Sequence, residues 1–160
     1  MPNYKVLNSI AHNLGQDYVS TLNYLHEDYA MGHLLNHALK TNISTLNIDI
    51  LKGVAEENVD RNSVAWSVIK KSPEVLKRLV KSEGGSMETI KTAKMRLSFD
   101  LNSSRPNERN SKLIEYPYTL RVDIADDRNA EHSYTHTGWW FEEPRIKKLS
   151  SGSWFRGLFT

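Results

Sequence analysis

Cysteine is absent from this chain of 160 residues, which removes a disulfide framework, a thiolate metal site and a cysteine nucleophile. Long apolar runs are missing too, so no membrane-spanning helix is predicted. The amino end, Met-Pro-Asn-Tyr-Lys-Val-Leu, departs from the basic, apolar, small-residue order of a signal peptide. A soluble, cytoplasmic protein is expected. No G-x-x-x-x-G-K-[ST], G-x-G-x-x-G or G-x-S-x-G occurs, so phosphate-loop, dinucleotide and serine-hydrolase readings lose their usual support. Internal repeats and low-complexity blocks are also missing.

What is present is alternation. Ala93, Met95, Leu97, Phe99 and Leu101 interleave with Lys94, Arg96, Ser98 and Asp100; Ile114, Tyr116, Tyr118, Leu120, Val122 and Ile124 interleave with Glu115, Thr119, Arg121 and Asp123. A period of two marks strands with one buried and one wet face, and an antiparallel sheet covered on one side. Met95, Leu97, Phe99, Leu120, Val122 and Ile124 are expected to share one core. Leu46, Ile48 and Ile50 give a shorter strand ending at Lys52-Gly53. Asp126-Asp127-Arg128-Asn129 reads as a hairpin turn with Asn129 left-handed, and a fourth strand follows from about Ala130 to Phe141. Pairing Ala130 with Asp126 puts Gly138 beneath the ring of Tyr118, whereas a shift of one residue would swap the faces of that strand.

Helices fill the first half. Val6, Leu7, Ile10, Ala11 and Leu14 have helical spacing, with Gly15 as a stop. A second helix is predicted from Asp17 to Lys40, kinked or buried on two sides near Gly32. Residues 60–71 read as helical around Val64, Ala65, Val68 and Ile69. Ser72, Pro73 and Glu74 then read as the cap, first position and first-turn acid of a fresh helix that ends at Gly84-Gly85.

Element order therefore predicts an α+β domain over residues 1–144, with N-terminal helices on one face of a twisted, mainly antiparallel four-stranded sheet. A basic, aromatic tail follows over 145–160. The order over roughly residues 3–141 resembles the cone-shaped nuclear transport factor 2-like architecture. That resemblance implies a sheet and helices enclosing a pocket; it carries no functional residue, because such folds host enzymes and binding modules alike.

Charge is uneven beneath a net +2: residues 61–112 hold 12 Lys/Arg against 5 acids. Lys70, Lys71, Lys77, Arg78 and Lys81 on the helix, with Lys91, Lys94 and Arg96 on the next strand, are the candidates for nucleic acid, although no helix-turn-helix or RNA-binding pattern directs them. His26, His33 and His37 form a stripe along a helix. His33 and His37 are the candidate metal pair, since i and i+4 side chains meet, but His26 lies about 10 Å away along the axis. Neither a metal nor a cofactor is expected. His132, Tyr134 and His136 share a strand face, and in the favoured register they join Tyr116 and Tyr118, a set suited to acid–base work or to ordinary hydrogen bonding. Trp139 and Trp140 must point to opposite faces.

No catalytic residue is assigned on this basis. The favoured expectation is a non-catalytic interaction or regulatory module binding an unknown protein, or a second copy of itself, through Trp139 and the tail residues Trp154, Phe155, Leu158 and Phe159. The tail aromatics have a bland alternative, which is to cover the protein's own core. The alternative function is a ligand pocket or enzyme using His132 or His136 with Tyr116, Tyr118 or Tyr134. Nucleic-acid binding through the basic middle is the third.

Overall fold

A computed structural model describes residues 3–24, 30–56, 59 and 64–141. Among them the apolar periodicities resolve into α1 (Val6–Tyr24), α2 (Ala30–Thr41), β1 (Thr45–Asp49), β2 (Val54–Ala55), α3 (Val64–Ser82), β3 (Ile90–Phe99), β4 (Arg105–Pro106), β5 (Ile114–Asp126) and β6 (Glu131–Phe141). A short 3-10 turn, Met87–Thr89, leads into β3. All pairings are antiparallel and the class is α+β, as the alternation requires. Four of the strands are those expected; β2 and β4 are two-residue additions that make the sheet six-stranded.

The sheet runs β2-β1-β3-β5, with β4 beside the first residues of β5 and β6 along its other side. Met95 faces Val122, Leu97 faces Leu120 and Phe99 faces Tyr118 across β3 and β5. These inward residues are buried together with Leu46, Ile48 and Ile124. On the same side, α1 lies over β5 and β6, while α3 packs on α1 and reaches β2. Pro117 is tolerated inside β5 because β3 ends beside it: the bond made there is Asp100 N–H donating to the Pro117 carbonyl at 2.9 Å, and no donor is asked of the proline nitrogen.

Two helix boundaries differ from the sequence reading. Gly15 does not stop the first helix, because the buried stripe continues from Leu14 to Tyr18 and Leu22. The glycine is there for space: a Cβ on it would sit 2.2 Å from Cδ2 of Tyr134. Of the expected 17–40 helix, the first part is described within α1 and the last within α2, while residues 25–29, Leu25 and Tyr29 among them, lie outside the described residues. Likewise Pro73 lies inside α3 rather than at the start of a new helix. Buried Ala65, Ile69, Leu76 and Val80 continue one stripe through it, and Tyr18 Oη bonds the buried Ser72 Oγ at 2.5 Å just before it. Burial along the whole stripe outweighs the one backbone bond a proline removes. The exit is as expected, with Gly84 at φ +76 and Gly85 N–H donating to the Val80 carbonyl at 2.9 Å.

The closing hairpin also matches its expectation. Asn129 has φ +66, Asp126 N–H donates to the Ala130 carbonyl at 2.9 Å, and Tyr118 pairs with Gly138. A Cβ at Gly138 would stand 2.7 Å from Tyr118 Oη, so the missing side chain lets the phenol lie across the strand.

Candidate functional site

The inward face of β6, on which α1 lies, presents His132, Tyr134, His136, Gly138 and Trp140. Along that helix, Asn8, His12, Gln16 and Asn23 fall within about 80° of arc, so one polar stripe faces one strand. Asn8 Oδ1 lies 2.9 Å from His132 Nδ1. The edge of His12 meets the Tyr134 ring at 4.7 Å between centroids, and Gln16 Nε2 donates to Tyr134 Oη at 2.5 Å. Further along, Tyr118 Oη receives Asn23 Nδ2 at 3.3 Å and bonds His136 Nε2 at 3.3 Å. The structure thus brings His132, His136, Tyr118 and Tyr134 to one seam, with Tyr116 on the same face opposite Trp140.

Asp126 is the partner that sequence reasoning did not supply. Fully buried at the hairpin, it takes His132 Nε2 at 3.0 Å on one oxygen, and the N–H groups of Arg128 and Ala130 at 2.8 and 3.0 Å on the other. The His132 hydrogen bond, then the two backbone donors and the Arg128 guanidinium, hold its carboxyl down to about 2 against the desolvation that opposes them. Asp126 Oδ2 accepts from the Nε2–H of His132, and the Nδ1 side of the ring meets the Asn8 side-chain amide. Both ring nitrogens of His132 are then engaged by the protein itself. Asn8, Gln16 and Asn23 had a legible signal as polar positions beside the apolar stripe of a helix; Asp126 had none, being one more turn residue in the sequence.

This arrangement has a pH consequence. A carboxyl near 2 when folded and about 3.9 when unfolded contributes stability that is complete above the unfolded value and is lost as pH falls toward the folded one. Between about pH 4 and pH 2 the urea midpoint should therefore drop, and Asp126→Asn should make that drop shallower. Glu115, also lowered, leaves part of the slope in place. An acid limb identical in the two proteins would contradict the assignment.

On the other face of the sheet, Trp139 and Trp140 part as their adjacency demands. Trp140 is half-buried against the core, whereas Trp139 is 37% exposed. The Arg105 guanidinium lies 3.6 Å over the Trp139 ring, and its Nε donates to Glu115 Oε1 at 2.7 Å. Asn107 Nδ2 donates to the second Glu115 oxygen at 2.9 Å. The hydrogen bond from Arg105 is the main reason the Glu115 carboxyl is lowered. A buried carboxylate therefore pins the β4 segment so that its arginine caps an exposed indole.

The basic candidates do not form one surface. Lys70, Lys71, Lys77, Arg78 and Lys81 are exposed on α3, on the helical side of the sheet, while Lys94 and Arg96 lie on its outer face, Lys94 opposite Asp123. Of the proposed metal pair, His37 is half-buried and the side chain of His33 is outside the described residues, as are His26, Trp154, Phe155, Leu158 and Phe159. Among the described residues no three His, Asp or Glu side chains gather in a metal-holding group, and no helix is long and apolar enough to cross a membrane.

Two clefts lie away from the β6 seam. One of about 430 Å³ separates α1 from α3, lined by Asp17, Tyr18, Thr21, Ser67, Lys71 and Ser72. Burial there raises the Asp17 carboxyl, opposed by Arg78. The other, about 240 Å³, lies between α2 and β1 and is lined by Leu34, His37, Lys40, Ile43, Val59 and Phe99. No family model, curated protein or solved structure matches the chain.

Proposed function

We propose that this chain is a non-catalytic protein-interaction module that engages its partner along the outer side of β6. The observation that carries the reading is the Trp139–Arg105 platform at the end of that strand. An exposed tryptophan held flat beneath an arginine is ready to be covered without first losing much side-chain freedom, and these two residue types dominate interface energetics. The histidines and tyrosines of the inner face favour the same reading from the other direction. The Tyr134 ring fills the space above Gly15 and Tyr118 the space above Gly138, so the seam is occupied by the protein's own rings and amides where a reacting group would need room.

Capture of partners from the source-cell lysate by the immobilised chain tests this. Trp139→Ala should weaken retention of the captured protein roughly thirtyfold, the scale of a central aromatic anchor. His132→Gln and His136→Gln should retain it. Retention unchanged by Trp139→Ala and by Arg105→Ala together would discard the reading.

A further inference from the structure

We infer that a second copy of this chain pairs with β6, edge to edge and antiparallel, about a two-fold axis at Thr135, so that two sheets become one. This rests on the interaction-module reading and names the partner. β6 is eleven residues long and pairs only with β5 among the described residues. At the opposite end the sheet finishes in the two-residue β2, too short to template another strand. In an antiparallel ladder, bonded and non-bonded pairs alternate. Because Asp126 N–H meets the Ala130 carbonyl, the even positions of β6 exchange bonds with β5. The backbone groups of 131, 133, 135, 137, 139 and 141 are therefore the ones aimed at the open edge.

Natural sheets protect such an edge with lysine, proline, a bulge or an inward charge. Residues 131–141 contain no lysine, arginine or proline, and the β5–β6 register runs without a shift, unlike β3, where one occurs between Ile90 and Thr92. Charge selects both the occupant and the register. The single acidic side chain of the strand is Glu131 at its start, and the cation stacked near its end is Arg105 on Trp139. An axis at Thr135 places Glu131 of each copy opposite Trp139 of the other, where the capping guanidinium meets the carboxylate. Ser133 then faces Thr137 and Thr135 faces itself, hydroxyl pairs that suit adjacent strands. Parallel pairing would instead set the two Glu131 carboxylates side by side, a repulsive arrangement.

The absence of cysteine makes the test clean. Under mild oxidation, Thr135→Cys should give a disulfide-linked dimer and Lys77→Cys on α3 should give none. Light scattering should return a dimer mass for the full chain and a monomer mass for Thr135→Lys, which brings two ammonium groups together on the axis. Thr135→Pro, which removes an outward N–H that β5 does not use, should also be monomeric; circular dichroism on both variants confirms folding and keeps the test open if one fails. A dimer that persists in both folded variants overturns the inference, and so does one lost on deleting residues 142–160 alone. A monomeric full chain that still retains a lysate protein in a Trp139-dependent way overturns self-pairing while leaving the module reading intact; loss of that retention pattern with the dimer intact does the reverse.

Discussion

Replacing Phe99 by alanine should lower stability by about 3 to 5 kcal/mol, the largest single-residue effect expected in this fold. The ring is 5% exposed at the end of β3, opposite Tyr118, with the two centroids 6.3 Å apart in an edge contact. Truncation removes that contact and the transfer free energy of the ring. It also extends the cleft of about 240 Å³ that Phe99 already lines, so the void cannot close by a small local shift. Tyr118 should feel the loss next, since its hydroxyl is held through Asn23 and His136 at 3.3 Å each. Urea unfolding of the variant measures the change. A loss below about 1 kcal/mol would mean that the inward face of β3 is misassigned.

Gly15→Ala is the second. In an exposed helix interior this change normally adds about 1 kcal/mol of stability. Here the new methyl would meet Cδ2 and Cε2 of Tyr134 at 2.2 and 2.7 Å. The ring has little freedom to retreat, with His12 at its edge and Gln16 on its hydroxyl. Overpacking at this seam should outweigh helix propensity and leave the protein destabilised by about 1 to 3 kcal/mol. Tyr134→Ala made together with Gly15→Ala should recover most of the added loss, because the clash requires both partners. Thermal and urea unfolding of the two single variants and the double variant give that coupling directly. A Gly15→Ala protein more stable than the parent would separate α1 from β6.

Several features were legible in the chain because they are local. Alternation in β3 and β5 announced which residues face inward, since successive side chains in a strand must point opposite ways. Asn129 announced the hairpin, because Asn tolerates the left-handed backbone that the turn demands. From that turn the pairing of Gly138 with Tyr118 followed by counting, and so did the grouping of His132, Tyr134 and His136 on one face. The division of Trp139 and Trp140 between faces followed from adjacency alone.

What tertiary structure decided was every choice between two locally acceptable outcomes. Gly15 reads as a stop by propensity and became a helix-interior position because a tyrosine 119 positions away needs the space of its missing side chain. Pro73 reads as a helix start, yet it lies within α3 because one buried stripe spans both sides of it. Asp126 reads as a turn residue and became the buried partner of His132 once β6 folded back on β5. Which tryptophan stays outside was settled by where the core lies, and Arg105 came to rest on that indole because Glu115 holds the β4 segment in place. Local preferences amount to about 1 kcal/mol per residue, whereas contacts between distant elements bury whole side chains worth about 1.5 to 3 kcal/mol each. Where the two disagreed in this chain, burial prevailed, and no local pattern records which distant residue supplies it.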